Sequence, residues 1–481
     1  MAQDVTLMGA SYLDVPAVEL PKTGGGIAKF TDTTPTTAEE ADVTSGKVFF
    51  KSDGSQAVGT GSGGGGGGTP TPSKQINFID YDGTILYSYT SEEWESVTSL
   101  PDNPSHDGLV AQGWNWTKLQ IDEQLADIPE GPVWVGQMYV TESGDTEIDI
   151  ALMDSLRLSP YLALAPKGTV EIDWGDGSTH SNVTGYSLTS RIDTQHTYSN
   201  VGDYTIKIHV VSGSFAFYGT SVYTLLHNKK PSGNLNRMYS GCVLAVRLGN
   251  NVKLDTYAFG YCYSLKYVTI PNNSTDIENY TFTNCYSLVS ATIPIGATKI
   301  GNYAFSTCVS LMYTSIPNGV MSIGSNAYNN CNSLLFFTMP SSVTSMVTSY
   351  HFANCYSLRH MVMSNQITQF STNGVQNCYS LKFINLPSSL THIQNNVFSN
   401  CHTLSSITIP SGVTTIDSNA FSNCYGMAEY HFKPTTPPTL TASTVFTAIP
   451  SDCIIYVPAE SLEAYKTAQY WSTHASKMRG E

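Results

Sequence analysis

The apolar and polar positions of the chain form several groups of short alternating strands and one long periodic segment. In residues 1–57, the stretch DVTSGKVFFKSDGSQAVGT predicts a hairpin around a Ser52-Asp53-Gly54 turn. INFIDYDGTILYSY predicts a second hairpin, and SEEWESVTSL after it predicts a helix. From about residue 132 to 212, strands alternate with turn residues in VWVGQMYVT, TEIDIALM, TVEIDWGDGS and GDYTIKIHVV, which predicts a β-sandwich.

From Leu235 onwards the sequence repeats itself. Nine cysteines stand at 242, 262, 285, 308, 331, 355, 378, 401 and 424, so the spacing is 23 residues with one interval of 20 and one of 24. A Phe or Tyr usually precedes the cysteine by three residues, a Leu follows it by three, and further apolar residues follow by eight and fifteen. A fixed period of this length predicts a solenoid, whose units bury their apolar edges only by stacking.

The period ends after Cys424, at KPTTPPTL. The strand CIIYVP then leads into AESLEAYKTAQYWSTHASKM, which predicts an amphipathic helix with Leu462, Tyr465 and Tyr470 on one side. An open solenoid end exposes its core, so we expect this helix to act as a cap.

The repeat, for example CYSLKYVTIPNNSTDIENYTFTN from Cys262 to Asn284, resembles the BspA-like (Treponema-type) leucine-rich repeat family. The resemblance covers about residues 235–458 and implies a right-handed solenoid with a short parallel sheet and a role in adhesion. The sequence departs from the pattern at Val375, where Phe is usual, at Ser364, where Pro is usual, and in the 24-residue repeat at 331–354.

Two other segments also resemble known families. TVEIDWGDGS and HTYSNVGDYTIKIHV look like a PKD-type immunoglobulin-like module, which implies that Trp174 fills the sandwich, that Gly175-Asp176-Gly177 forms a tight turn and that Tyr204 packs at a strand start. The N-terminal DVTSGKVFFKSDGSQAVGT resembles short motifs of structural proteins from phages that infect gut Firmicutes.

Composition and charge argue against several classes of function. Charged residues are only 13% of the chain and the net charge is −15, so a nucleic-acid backbone would be repelled. No apolar run approaches the about 20 residues that span a bilayer. The first residues contain no basic side chain before Lys22 and no continuous apolar stretch, so they do not read as a secretory signal peptide.

Three sets of residues, two of carboxylates and one of cysteines, could form a catalytic or metal site, but each can also be explained as a part of the fold. Asp80, Asp82 and Thr84 match the nucleophile motif of haloacid-dehalogenase phosphatases, but about 50 residues leave too little chain for that fold, and a hairpin turn is favoured. Asp173 and Asp176 could bind calcium, although turn capping is favoured.

The cysteines lack metal-site spacing, and stacked neighbours about 4.8 Å apart do not suit disulfides. We therefore expect free, buried thiols rather than a catalytic Cys401–His402 pair.

The candidate binding residues lie five positions after the repeat cysteines, where strand alternation predicts an outward side chain. They are Tyr267, Tyr313, Phe336, His360 and Phe383. Successive repeats align these rings in one column, and an exposed aromatic column usually marks contact with sugars or a protein. The alternatives are packing between neighbouring rings or a register error of one residue. The tyrosines directly after the cysteines are interpreted as structural.

The predicted fold class is mainly β: a multidomain rod with a small mixed domain, an immunoglobulin-like β-sandwich and a leucine-rich repeat solenoid with a C-terminal helical cap. The predicted segments are a virion-attachment segment (1–57), a Gly-rich linker (58–73), the mixed α/β domain (74–130), the sandwich (131–213), the solenoid (235–458) and the cap (459–481).

The predicted function is that of a non-enzymatic bacteriophage fibre or decoration protein, attached to tail or head, that displays the solenoid for host adhesion. A bacterial cell-surface BspA-like adhesin is the alternative, and a haloacid-dehalogenase-type phosphatase a distant one. We expect other virion proteins to bind the N-terminal segment and a host-surface glycan or protein to bind the solenoid. No nucleic acid, membrane insertion, metal or cofactor is expected, and the predicted location is the virion or, alternatively, the bacterial surface.

Overall fold

The computed structural model describes residues 74–128, 131–220, 225–228, 238–274, 276–346 and 349–481, and the backbone of six short strands within residues 1–73. Residues 1–73 and 74–481 are two separate compact units. The strands of the first unit are β1 (Gln3–Leu7), β2 (Ala10–Val15), β3 (Val18–Pro21), β4 (Ile27–Phe30), β5 (Val48–Phe50) and β6 (Gln56–Val58). The antiparallel pairing of β5 with β6 confirms the first hairpin. Its turn at 52–54 and linker residues 59–73 lie outside the described residues.

A small mixed domain opens the second unit. Its elements are β7 (Gln75–Ile79), β8 (Ile85–Thr90), α1 (Ser91–Glu95), β9 (Leu109–Trp114), α2 (Lys118–Asp127) and β10 (Pro132–Thr141). The sheet order is β8-β7-β10-β9, with only β7 and β10 parallel. Thr90 and Thr117 cap the two helices through reciprocal bonds with Glu93 and Gln120.

The predicted boundary at 130/131 is wrong, because β10 belongs to this sheet and not to the sandwich. All ten residues of β10 are buried, so the strand needs cover on both faces. Val133 and Val135 enter the core of the mixed domain, and Trp134 points the other way, onto the solenoid.

The second domain is built around two long strands. Its strands are β11 (Thr146–Leu152), β12 (Tyr161–Asp173), β13 (Ser181–Tyr186), β14 (Ile192–Gln195), β15 (Gly202–Phe217) and β16 (Leu226–His227). A 3₁₀ turn at Ser155–Arg157 precedes β12, which pairs with β14 and β16 over its first part and with β13 and β15 over its second. Trp174 is buried beneath this sheet and accepts a 3.0 Å hydrogen bond at its carbonyl from the Tyr198 hydroxyl.

The solenoid has two parallel strand ladders on different sides. The first ladder is β17 (Val243–Arg247), β19 (Tyr267–Thr269), β20 (Ser290–Thr292), β22 (Tyr313–Ser315), β24 (Phe336–Thr338), β26 (His360–Val362), β28 (Phe383–Asn385), β30 (Ser406–Ile409), β32 (Glu429–Phe432), β34 (Ile454–Val457) and β35 (Met478–Gly480). The second is β18 (Val252–Leu254), β21 (Lys299–Ile300), β23 (Ser322–Ile323), β25 (Ser345–Met346), β27 (Gln369–Phe370), β29 (His392–Ile393), β31 (Thr415–Ile416) and β33 (Thr439–Leu440).

The first ladder continues the sheet of the preceding domain. Strand β17 pairs antiparallel with β11 and parallel with β19, so the first solenoid edge is covered by the neighbouring domain.

Each repeat places its periodic apolar residues in one continuous core, which confirms the solenoid prediction. All ten cysteines are buried and free, as predicted. Their thiols also have a role that the sequence did not reveal: from Cys285 to Cys424, each of the seven Sγ atoms donates to a backbone carbonyl of the preceding repeat, at 3.1–3.4 Å. The Cys285 thiol, for example, donates to the Phe259 carbonyl at 3.1 Å.

The aromatic residues three positions before the cysteines stack in the core, and the exception at Val375 is compensated. Phe282 and Phe305 lie 5.3 Å apart and nearly parallel. Where Val375 removes a ring, Phe370 fills the space and meets Phe398 edge-on at 5.5 Å. Gly374 leaves room for this ring, because a Cβ there would lie only 2.5 Å from it. Phe370, Gly374 and Val375 therefore pack as one unit.

The turns before the cysteines use the left-handed backbone region twice per repeat, five residues and one residue before the cysteine. Asn330, Asn377 and Asn400 are examples with φ near 60°. Asn tolerates this region better than most residues, because its side chain bonds locally. Its amides also form a ladder: Asn377 Nδ2 donates to Asn354 Oδ1 at 2.7 Å, and Asn400 Nδ2 donates to Asn377 Oδ1 at 2.6 Å.

The predicted helical cap at 459–481 is confirmed, although only a short part of it is α-helical. Helix α3 spans only Leu462–Thr467, flanked by 3₁₀ turns at Ala459–Ser461 and Trp471–Lys477. The apolar face is nevertheless the one predicted, since Tyr465 is buried and Leu462 and Tyr470 pack against the core. The last strand, β35, continues the first ladder because Met478 pairs with Ile455.

The mixed domain lies across the first ladder of the solenoid. The buried Asn115 side chain donates to the carbonyls of Ile293 (2.9 Å) and Ser315 (3.1 Å). Its Oδ1 accepts from the Gly136 backbone amide at 2.8 Å. Gly136 itself faces Thr292 so closely that a Cβ would overlap with the threonine side chain.

Gly136→Ala should therefore destabilise the joint between the mixed domain and the solenoid. We expect a loss of about 1–3 kcal/mol in the free energy of unfolding, because the added methyl overpacks a buried contact. Thr292→Ala should restore part of this loss in the double variant, measured by chemical denaturation. Equal losses with and without Thr292→Ala would contradict the contact.

The thiols should be inert in the native protein. Burial raises the pKa of Cys308, Cys331 and Cys378 above the ordinary value of 9.0, and the thiolate is the reactive form. Titration with a disulfide reagent should show ten thiols after denaturation and very slow reaction before it. Rapid native reaction, or a disulfide in non-reducing mass spectrometry, would count against this packing.

Candidate binding face

The five predicted binding residues occupy one position of the first ladder. Strand pairing aligns Tyr267 with Ala245, Tyr313 with Ser290, and His360 with both Phe336 and Phe383. Their side chains point away from the solenoid core. The His360 ring lies 5.6 Å from Phe336 and 5.9 Å from Phe383, so the rings contact one another within the column.

The expectation that the whole column is exposed is wrong, because the mixed domain covers its first part. Tyr313 is 3% and Phe336 9% exposed. The Trp134 ring lies 4.4 Å from that of Tyr313 and 6.4 Å from that of Phe336. Tyr267 packs against Tyr81 at 4.9 Å. Tyr267, Tyr313 and Phe336 therefore form contacts between the solenoid and the mixed domain.

None of the described residues covers the later part of the same sheet face in this way. We call it the open face and define it by the outward residues of the strands from β28 to β35: Phe383, Asn385, Ser406, Thr408, Glu429, His431, Ile454, Tyr456 and Arg479. Ser406 and Thr408 are exposed, and Phe383 and Tyr456 are partly exposed. The inward residues between them, such as Ile407 and Tyr430, are buried. Phe383 is thus the one member of the predicted site at the border of the open face.

Charge at the far end of the open face is organised around His431. Its Nδ1 lies 2.9 Å from Glu481 and its Nε2 lies 3.2 Å from Glu429, while its ring stacks on Tyr456 at 4.9 Å. Lys433 Nζ donates to Glu481 at 2.6 Å. Partial burial raises the pKa of Glu481, but the bonds from Lys433 and His431 outweigh it and hold that pKa below its usual value.

His360 sits between the covered and the open parts of the column. Burial, together with Lys382 and Arg359 nearby, lowers its pKa from the ordinary value of 6.5 to about 4. Its Nδ1 is buried and has no hydrogen-bond partner. The ring is therefore neutral at physiological pH and acts as an aromatic member of the column.

The phosphatase hypothesis is contradicted by the geometry of its motif. β7 and β8 form the antiparallel hairpin that was favoured, with a turn closed by Thr84 N donating to Asp82 Oδ1 at 2.8 Å. Asp80 is 3% exposed and accepts from the Tyr139 hydroxyl at 2.7 Å. His106 lies 2.6 Å from its other oxygen. A carboxylate enclosed in this way positions the hairpin against β10 and β9.

The residues of the other two chemical hypotheses, the calcium site and the catalytic Cys401–His402 pair, also make structural contacts. Asp173 and Asp176 accept from the backbone amides of Gly175 and Ser178, which is the turn capping that was favoured. No group of three or more His, Cys, Asp and Glu side chains in the described residues is placed to hold a metal ion. The Cys401 thiol is buried and donates to the Val375 carbonyl, so it does not pair with His402.

Sequence reasoning missed how far tyrosine rings line the outside of the solenoid. The tyrosines directly after the cysteines do stack, with Tyr356 and Tyr379 5.1 Å apart and 3° from parallel, yet each remains about 40% exposed. A second set occupies the left-handed position five residues before the cysteine. Its signal in the sequence is that this position carries only Tyr or Asn from residue 257 to residue 419.

The pH dependence of stability tests the place of His360 in the column. Its pKa is 6.5 in the unfolded chain and about 4 in the folded one, so the unfolded chain binds the proton first. The stabilising contribution is complete above pH 6.5 and is lost as the pH falls towards 4, by up to about 3 kcal/mol. His360→Phe keeps a ring between Phe336 and Phe383 but cannot titrate. Denaturation at pH 7 and pH 5 should show a smaller loss in this variant, and an equal loss would be inconsistent with a buried neutral His360.

Comparison with known proteins finds likeness in the solenoid. Residues 238–359 and 345–441 match the family described as BspA type Leucine rich repeat region, in six copies. A leucine-rich cell surface protein of Faecalibacterium prausnitzii is 30% identical over 39% of this chain and 59% of its own, with a TM-score of 0.30. The chain thus spans about three fifths of that protein.

A leucine-rich repeat protein of Treponema pallidum is 28% identical over 33% of this chain and 72% of its own, with a TM-score of 0.31. The comparison with curated proteins found no match. Among the helices that the structure describes, none is long and apolar enough to cross a membrane.

The period, the cysteine and leucine positions, the parallel ladders and the family match agree with one another. The solenoid of this mainly β chain is therefore a leucine-rich repeat region of the BspA type.

Proposed function

We propose that this chain is a non-enzymatic adhesion protein displayed at a bacterial cell surface, and that the open face binds a glycan or protein of the opposing surface. The leucine-rich repeat region of the BspA type supports a role in adhesion. Of the two locations considered from the sequence, the cell surface is favoured by this family match. The virion hypothesis rests on the motif at residues 42–60, whose side chains lie outside the described residues.

The observation that carries this proposal is the contact between the mixed domain and the covered part of the column. There, the solenoid face contacts another folded surface by packing Tyr313 against Trp134 and by a serine hydroxyl, Ser315 Oγ, that donates to the Trp134 carbonyl at 2.6 Å. Binding hot spots are enriched in aromatic anchors such as Trp and Tyr, and here small polar groups lie beside the anchor. The open face repeats this composition, since Phe383 and Tyr456 flank Ser406 and Thr408.

Charge favours a neutral partner. The net charge of −15 would repel an anionic polymer, and His431 and Lys433 at the end of the open face are already engaged with Glu481. We further propose that the sheet domain from β11 to β15 is an immunoglobulin-like module of the PKD type that carries the solenoid away from its attachment point. The buried Trp174 and the Gly175 and Gly177 turn, both with positive φ, support this assignment.

The open face can be tested by removing its two aromatic anchors together. Phe383→Ser with Tyr456→Ser should lower adsorption of the full chain to immobilised mucin, as a glycan probe, or fibronectin, as a protein probe. Removal of two ring contacts should weaken binding about tenfold or more, measured by surface plasmon resonance. The melting temperature should stay close to that of the unchanged protein, because both rings are partly exposed.

Tyr186→Ser is the matched control, since Tyr186 is 91% exposed and lies on the sheet domain, away from the open face. It should leave adsorption unchanged. Equal adsorption by the double variant and the control would contradict a binding role of the open face. The same holds if neither probe adsorbs to the unchanged protein.

A further inference from the structure

A column of tyrosines runs along the turn side of the earlier solenoid repeats and has one gap before it ends at Tyr350. The position five residues before the repeat cysteine has a positive φ throughout and carries Tyr257, Tyr280, Tyr303, Asn326 and Tyr350 in succession. Tyr257 and Tyr280 stack at 4.4 Å and 4° from parallel, and Tyr280 and Tyr303 stack at 4.9 Å and 6°. From Tyr257 to Tyr350 each repeat therefore contributes one ring to the column, except at Asn326, and the later repeats carry Asn373, Asn396 and Asn419 at this position.

The missing ring leaves a cleft of about 480 Å³, bounded by Tyr280, Tyr303 and Tyr350 and with Asn326 among its lining residues. Tyr303 and Tyr350 are two repeats apart, which corresponds to roughly 10 Å at the spacing of parallel strands. A single flat ring placed between them would contact both tyrosines at the distance that the rest of the column shows. The volume lies within the range of about 300–1,000 Å³ that small-ligand sites occupy.

The polar groups of the cleft are amides and hydroxyls. Asn329 Nδ2 donates to Asn326 Oδ1 at 3.0 Å, and Asn354 Nδ2 donates to Asn329 Oδ1 at 3.3 Å, so the amides hold one another in place. Asn326 is 8% exposed, whereas Tyr350 is 41% exposed at the rim. None of the described residues that line the cleft is Asp, Glu, Lys, Arg or His. The site offers neutral donors and acceptors and two aromatic faces, with no ionic partner.

We propose that the cleft between Tyr303 and Tyr350 binds one pyranose unit of a neutral glycan. A pyranose presents C–H groups on its flat faces, which suit the negative faces of aromatic rings, and hydroxyls at its edge, which suit the fixed amides. The cleft lies on the turn side and shares no residue with the open face, so this site is independent of the adhesion surface proposed above. A planar aromatic side chain of a protein partner is the competing occupant.

Filling the gap with the protein's own ring tests the proposal directly. Asn326→Tyr should complete the column, because Tyr already occupies the same left-handed position at 280, 303 and 350. Binding of mannotriose, cellotriose, triacetylchitotriose and lactose to the full chain would be followed by saturation-transfer NMR and titration calorimetry. At least one sugar should bind the unchanged protein, and Asn326→Tyr should weaken it about tenfold or more.

Asn396→Tyr makes the same change at the same position of a repeat outside the cleft and should bind sugar normally. Tyr350→Asn removes one wall while keeping a residue that accepts the left-handed backbone, and should also lose binding. If Asn326→Tyr lowers the melting temperature, Tyr350→Asn decides the outcome.

Three results would overturn the proposal: no sugar binds the unchanged protein, sugar binding survives both cleft variants, or only N-acetyltyrosinamide binds and is lost in Asn326→Tyr. The last result would assign the cleft to an aromatic side chain. Adsorption through the open face is measured with different variants, so either proposal can fail alone.

Discussion

Parallel stacking of repeats at strand spacing is the constraint on which the solenoid depends. A residue type that recurs at one position of the repeat meets its own copy in the next repeat, so each such position becomes a column with a single chemistry. The phenylalanines stack, the asparagine amides bond to one another, and the cysteines donate to the carbonyls of the repeat before. Each column satisfies groups that the adjacent repeat would otherwise leave buried without a partner. The exceptions are tolerated where a neighbour adjusts, as Phe370 does for Val375.

This regularity explains how much of the fold could be predicted from the sequence. The inward positions, such as Leu311 and Ile316, were identified because period and apolarity coincide, and the structure buries both. The thiol bonds were not identified, because a buried cysteine has the same sequence pattern whether its S–H donates or not. The final helix was overestimated since the helical pattern of apolar residues around Tyr465 also fits a short helix followed by 3₁₀ turns and a strand.

The candidate site was predicted correctly in register but not in exposure. Alternation along a strand indicates which side chains leave the core of a repeat, but not what lies over them. Tyr313 and Phe336 therefore had the same pattern as Phe383, although Trp134 covers only the first two. A signal was present in the strands beside them: Ser290, Thr292 and Ser315 are small, polar and buried, which suits a face that another domain contacts closely. The covered part of the sheet is an internal joint, and the open part is the surface that we propose for a partner.

The position of β10 has a consequence for how the molecule responds to fluctuations. This strand crosses β19, β20, β22 and β24, and Val362 of the solenoid strand β26 also packs into the core of the mixed domain. Repeats in a solenoid normally open one at a time, because each is held only by its neighbours. Here, several consecutive repeats are joined by an element distant in sequence, so they can open only together. Amide hydrogen exchange along the solenoid will therefore be graded, with protection highest under the mixed domain and falling through the repeats that carry the open face.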